Sequence, residues 1–315
     1  AIWLQTTLGV PPSENNVKDE VRHRTEITNE ISGLKAICES PSDLELRIRH
    51  VDLLESTGNT NDAARARFLR ISNTLLNLIQ QEAQWSDEWF ELCDRKSEFA
   101  EFLPLWEKEL PTIKGVIWGS LGIEKGFVWD VHCKTARVFV ENASVIFSSA
   151  PIGSVSLGRG RQTIGELAHV KEMFRVTRLI FEECELGHRA ALALAGSAHL
   201  ANITHLHLSS NRLGDSGARV IAESPHLLNL QNLDLSNNEI GDEGVVSLAS
   251  SPIVSRLESL GLAGSTMGSI GADALAESKH LSRITGLTLW DCNKLKAKNK
   301  SKLKARFGDA VSFDD

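Results

Sequence analysis

Between Val176 and Gly308 one pattern returns every 27 residues. Its first column reads Val176, Ile203, Leu230, Leu257 and Ile284. Three residues on stand Leu179, Leu206, Leu233, Leu260 and Leu287, and two further on stand Phe181, Leu208, Leu235, Leu262 and Leu289. A period of roughly 20–50 residues restricts the fold to a stacked array, because a unit that short cannot bury its own apolar face and must lay it against the next copy. The central unit, LQNLDLSNNEIGDEGVVSLASSPIVSR from Leu230 to Arg256, gives the content of each copy. Its LxxLxL opening predicts a short strand, with Leu233 and Leu235 on one face and Asn232, Asp234 and Ser236 on the other, since side chains alternate along a strand. Gly241 and Gly244 bound the start of a helix that turns Val245, Leu248 and Ala249 inward, and Ser251-Pro252 ends it. Ile152, Val155 and Leu157 predict a shorter first unit, 24 residues ahead of Val176.

Two columns at the turn carry specific demands. One holds Cys184, Asn211, Asn238, Ser265 and Cys292. A buried side-chain amide there both donates to and accepts from backbone groups left open by the turn, so the column reads as a structural ladder tying each coil to the next. Cys and Ser fill the place less completely. The other column holds Gly187, Gly214, Gly241 and Gly268, where the backbone is expected to need positive φ or a close approach.

The 315 residues leave room for a domain ahead of the array. Ile27, Ile31, Leu34 and Ile37 recur at helical spacing as far as the Pro41 break. Ser42 with Glu45 is a capping-box pattern opening a second helix, whose buried stripe is expected at Leu44, Ile48, Val51 and Leu54 or Leu53. Asn61 or Asp62 is expected to cap a third helix carrying Ala66, Leu69, Leu76 and Leu78. A fourth, from about Ser86 to Phe102, carries Trp89, Phe90, Cys93 and Phe99. Gly126 to Val131 reads as a strand and Arg137 to Ser148 as a helix entering the array. The organisation is thus an N-terminal extension at 1–28, a helical domain at 29–112, a bridging strand and helix at 113–151, and a repeat array with a C-terminal cap at 152–315.

Composition excludes some functions. The net charge of −7 argues against a general nucleic-acid binder, and no apolar run approaches the roughly 18 residues of a membrane span. Residues 1–16 lack the basic and apolar segments of a secretory signal. Five widely spaced cysteines, odd in number and without CxxC, read as thiols of a reducing compartment, so the expected location is cytoplasmic.

LHLSSNRLGDSGARVIAES and LDLSNNEIGDEGVVSLASS resemble leucine-rich repeats of the ribonuclease-inhibitor type. The resemblance implies an α/β fold in which a curved solenoid carries parallel strands on its concave side and helices on its convex side. Upstream, ISGLKAICESPSDLELRIRHVDLLESTGNTNDAARARFLRIS resembles the bacterial repeat-companion domain, a helical module that precedes leucine-rich repeats. Its features here are Ala36-Ile37 before Pro41-Ser42-Asp43, then Asp52, Leu54, Glu55 and Gly58, then Arg67 to Arg70. GFVWDV at Gly126 to Val131 resembles that family's bridge into the repeats. Leu53 stands where the family usually has Trp, and residues 1–28 and about 85–122 are longer than usual. The resemblance implies protein–protein interaction.

No catalytic constellation accompanies this architecture. His205 and His207 lie on one strand face, within reach of one metal, with Asp234 as a third candidate ligand. Arg178 beside them argues against a cation site. The spacing of Cys184 and His188 suits a ligand pair, but Cys184 belongs to the ladder column. His132-Cys133 lacks the oriented third group of a thiol nucleophile, and Gly158 to Arg161 lacks the phosphate-loop pattern. The run Lys294, Lys296, Lys298, Lys300, Lys302, Lys304, Arg306 reads as the polar outer face of a terminal cap. The expectation is a non-enzymatic protein without metal or cofactor. It would bind another protein through the concave face, at Arg178, Ile180, His205, His207, Asn232, Asp234 and Trp290, and/or through its N-terminal helices. The alternative is a regulatory or sensor subunit whose partner chain holds the activity, favoured if Trp85, Trp89, Trp106 and Trp118 are exposed.

Overall fold

The structure, a computed structural model, describes residues 33–40, 43–81, 83, 85–121, 126–158, 163–181 and 184–313. Contacts divide the chain into two compact units. One comprises the chain up to Pro111 with Ser120–Val128 and Ser148–Pro151; the other comprises Thr112–Gly119, Trp129–Phe147 and Ile152–Asp315.

The first unit is helical. Residues 33–39 form a short helix, followed by α1 (Leu44–Ser56) and α2 (Thr60–Gln80). Asp43 caps α1, its Oδ1 accepting from the Glu45 and Leu46 amides at 2.9 and 3.1 Å; Ser42 lies outside the described residues. Asn59, not Asn61 or Asp62, caps α2, accepting from the Asp62 amide at 2.8 Å. Ile37, Val51, Leu54, Ala66, Leu69 and Phe127 make the core between these helices. The expected stripe of α1 is wrong at Ile48, which is 47% exposed. The buried face instead runs Arg47, His50, Val51, Leu54 at helical spacing. On α2 the same arithmetic selects Phe68, Ile71, Leu75 and Leu78, leaving Leu76 half-buried. The fourth helix is interrupted: α3 (Asp87–Asp94) gives way to a 3-10 turn at Arg95–Phe99 and then α4 (Leu103–Glu107), which holds Pro104 in its first turn where no amide is needed. Phe99 and Trp106 pack on Phe68 with ring centroids 5.1 and 5.4 Å away.

The second unit is a nine-stranded sheet in chain order: β1 (Val116–Trp118), β2 (Asp130–Cys133), β3 (Ser154–Leu157), β4 (Arg178–Phe181), β5 (His205–His207), β6 (Asn232–Asp234), β7 (Ser259–Gly261), β8 (Gly286–Thr288) and β9 (Val311–Ser312). Only the β1–β2 pair is antiparallel. The strand expected at Gly126–Val131 starts later, at Asp130. Gly126 has φ +75° and lies so close to α2 that a Cβ would sit 2.8 Å from Leu69 Cδ2, so the backbone there turns against the helix instead of pairing. Helices α5 (Ala136–Ser149), α6 (Ile164–Leu167), α7 (Gly187–Ala195), α8 (Gly214–Ala222), α9 (Asp242–Ala249), α10 (Ser269–Glu277) and α11 (Ala297–Phe307) connect the parallel strands. Leu179, Leu206, Leu233, Leu260 and Leu287 are buried along the inner face.

The Gly column serves two purposes. Gly187 and Gly214 have φ of +63° and +61°. Gly241 and Gly268 do not; there a Cβ would stand 3.2 Å from Asp215 Oδ2 and 3.3 Å from Asp242 Oδ2. Two further columns are left-handed: Ser210, Asn237, Gly264 and Asp291, at φ between +53° and +66°, and Glu185, Arg212 and Glu239, at φ between +49° and +58°.

Candidate functional site

The ladder column is buried, and its side chains bond their own coil and the preceding one. Asn238 Oδ1 accepts from the Asn211 and Leu213 amides at 3.0 and 3.2 Å, and its Nδ2 donates to the Leu208, Leu235 and Ser236 carbonyls at 2.7–3.1 Å. Asn211 accepts from the Cys184 amide and donates to the Phe181 and Ser209 carbonyls. At the ends of the column Cys184 Sγ lies 3.2 Å from the Leu157 carbonyl, and Cys292 Sγ lies 3.2 Å from Ser265 Oγ. A second ladder escaped the sequence reading. Ser197, Ser224, Ser251 and Ser278, buried at the ends of successive helices, donate to Ala168, Ala195, Ala222 and Ala249 carbonyls one repeat earlier. The signal is Ser at an unbroken spacing of 27, masked in sequence because Ser251 beside Pro252 also serves as a helix stop.

These ladders set the register of the opposite sheet face. Arg178, His205, Asn232, Ser259 and Gly286 pair in one row; Ile180, His207, Asp234, Gly261 and Thr288 pair in the next. Arg178 is exposed and the other polar residues of the rows are half-buried. The rows continue into earlier strands: Asp130 and Ser154 lead to Arg178, while His132 and Ser156 lead to Ile180. His132 Nδ1 is 3.1 Å from Ser156 Oγ, and Ile117, 65% exposed, stands opposite His132 on β1. Sequence reasoning weighed His132 only beside Cys133 and did not reach Ile117, because β1 and β2 lie outside the 27-residue period. Glu182 lies outside the described residues.

Burial, and then the nearby Arg178 guanidinium, lowers the basicity of His205. Burial also lowers that of His207, opposed by the Asp234 carboxylate. His205 Nδ1 is 2.9 Å from Thr204 Oγ1, and Asp234 Oδ1 accepts from the Ser236 amide at 3.0 Å. The cluster is therefore two imidazoles poor in positive charge, one guanidinium with no ion pair among the described residues, and one partly engaged carboxylate. Among the described residues no three His, Cys, Asp or Glu side chains are grouped to hold a metal ion. Burial pushes the Cys133 thiol up to about 12, which keeps it protonated and poorly nucleophilic. All five cysteines are thiols, none in a disulfide.

The far end of the face is bare. Gly261 has no side chain where a Cβ would meet Asp234 Oδ1 at 2.4 Å, and Gly286 follows on the next strand. Trp290, in the turn after β8, is 51% exposed. Its carbonyl accepts from the Gly264 amide at 2.7 Å, which fixes the turn that presents the indole. In the helical unit Trp85 is 72% exposed, whereas Trp89 and Trp106 are buried; Trp118 of the sheet unit is half-buried. The loop at Arg159 to Arg161 lies outside the described residues.

A family model described as Leucine Rich repeat matches residues 199–222 and 226–249. Residues 199–249 thus match two leucine-rich repeats. The matched stretches hold β5 with α8 and β6 with α9, the two units in which the Asn ladder is complete. No curated protein matches the chain. Among the described residues no helix is long and apolar enough to cross a membrane.

Proposed function

We propose that this is a non-enzymatic, cytoplasmic protein that binds another protein across the open face of its repeat sheet. On this reading the repeats are of the ribonuclease-inhibitor type, and the helical unit is a bacterial repeat-companion module. The observation that carries the reading is the pairing, on one face, of an exposed Arg178 and half-buried Ile180, His205, His207, Asn232 and Asp234 with an exposed Trp290 in the turn after β8. Stacked repeats generally supply extended binding surfaces, and exposed Trp and Arg residues are the side chains that most often dominate binding energy. Capture of partners from the native host by the wild-type chain and by an Arg178→Glu, Trp290→Ala variant tests this. The variant is expected to lose about 90% or more of the specific partner, as loss of two anchor residues implies, with an unchanged melting profile. Retention of every partner by the variant would move the binding surface elsewhere. The second reading, a regulatory or sensor subunit whose partner chain holds the activity, keeps only Trp85 of the four tryptophans it needs exposed, since Trp89 and Trp106 are buried and Trp118 is half-buried.

A further inference from the structure

The helical unit carries an apolar spot ringed by acid that its own fold does not use. On α3 the positions Asp87, Phe90, Glu91 and Asp94 fall at i, i+3, i+4 and i+7, and all four are exposed. Trp89 on the opposite face is the residue that anchors the helix, at 7% exposure. Phe90 is 52% exposed in the middle of a charged stripe, where nothing in helix packing calls for an aromatic ring. Trp85 leans over it, with ring centroids 6.2 Å apart, and is also 6.2 Å from Trp89. Trp85 adopts φ +73°, a left-handed conformation that strains a bulky side chain. That strain presents the indole to solvent at 72% exposure instead of folding it inward. Around the two rings Asp87, Glu88, Glu91 and Asp94 form no ion pair among the described residues, and the adjacent Arg95 is engaged by Glu98 at 2.7 Å.

We infer that Trp85 and Phe90 form a docking spot for a basic amphipathic segment of a partner protein, whose apolar side chains cover the two rings while its Lys or Arg residues meet the four carboxylates. An apolar centre with a polar rim is the anatomy of a binding patch, and the excess of acid, partly offset by Arg95 beside Glu91, selects the sign of the partner's charge. This surface is separate from the sheet face, so either can fail without the other.

The probe is a designed amphipathic Leu/Lys helical peptide, with a Leu/Glu peptide of the same pattern as control, titrated against the full chain with tryptophan emission as the signal. The expected result is saturable binding of the Leu/Lys peptide with a blue shift, and none of the Leu/Glu peptide. Trp85→Ala with Phe90→Ala should weaken binding, read by calorimetry, by about tenfold or more. Glu91→Lys with Asp94→Lys should weaken it comparably and flatten its salt dependence. Exposed positions leave the fold intact, which far-ultraviolet dichroism checks. Equal affinity for wild type and the aromatic variant would overturn the inference, since charge alone would then explain binding. So would a concentration-dependent dimer that the aromatic variant abolishes, because the occupant would be a second copy. No binding by the wild-type chain would overturn it as well.

Discussion

Asn238 is buried with both ends of its amide in use: two amides point at its Oδ1 and three carbonyls surround its Nδ2. Its partners belong to its own coil and to the preceding one, so removing the side chain strands polar groups in both. Asn238→Ala is expected to cost roughly 1–3 kcal/mol, the penalty of unpaired buried polar groups, seen as a lower urea midpoint. Asn238→Asp should be no milder, because it keeps the acceptors but turns an oxygen toward the three carbonyls. An unchanged midpoint in both variants would mean the ladder contributes nothing. Columns of this kind are visible in sequence because chemistry recurs at one spacing. Backbone conformation is less visible: Ser210, Asn237, Gly264 and Asp291 share positive φ although only one is Gly. Ser, Asn and Asp are polar enough to bond locally in that conformation, so the column does not announce itself as glycine would.

Two helices of this array, α9 and α10, are capped by their predecessors. Asp215, in the first turn of α8, accepts from the Gly241 and Gly244 amides at 2.6 and 2.9 Å, at the start of α9. Asp242, in the first turn of α9, does the same for Gly268 and Gly271 at the start of α10, at 2.8 and 2.6 Å. Each carboxylate thus satisfies two orphan helix donors and faces the positive end of a neighbouring helix dipole. The same arrangement explains the glycines. At Gly244 a Cβ would meet Asp215 Oδ1 and Ile240 Cγ2 at 2.7 Å, so glycine is set by close approach and not by φ. Asp215→Ala should cost about 1–2 kcal/mol, as loss of a strong N-cap does. Asp273→Ala on α10, which removes an ion pair to a half-exposed Lys302, should cost at most about 1 kcal/mol. Chemical denaturation of the two variants side by side checks the ranking, and equal losses would reduce Asp215 to an ordinary surface charge. Sequence alone pointed to Gly241 and Gly244 as helix boundaries but not to the carboxylate one repeat back, because a cap is normally sought in the residues just before its helix.

The two units follow different rules, which is why one was legible and the other only partly so. In the array every repeat restates the same inward Leu, so strand order, register and the rows Arg178–His205–Asn232 and Ile180–His207–Asp234 follow from one number, the 27-residue spacing. The face extends further, through His132 to Ile117, where no repeat exists to reveal it. In the helical unit nothing repeats, and the core breaks the apolar pattern. Arg47 is 3% exposed, donates to Asn73 Oδ1 at 2.7 Å and lies 5.2 Å over the Phe127 ring. His50 is also 3% exposed, and its Nδ1 has no hydrogen-bond partner among the described residues. Burial, reinforced by Arg65 and Arg47 and opposed by Asp62, lowers His50 from 6.5 to about 4. In the unfolded chain the imidazole takes a proton near its ordinary value, so between those two pH values the unfolded state holds more protons and stability rises with pH. The contribution is complete above the unfolded value, is lost as pH falls toward about 4, and changes no further below it. At about 1.4 kcal/mol per unit the loss is of order 3 kcal/mol. His50→Leu removes the titration while keeping an apolar side chain in the site. Urea unfolding followed by emission from buried Trp106 in the same unit should give wild-type and variant midpoints that diverge steadily from about pH 7 to pH 4, with the variant gaining. Parallel pH curves for the two proteins would show that His50 is charged, or solvated, in the native state.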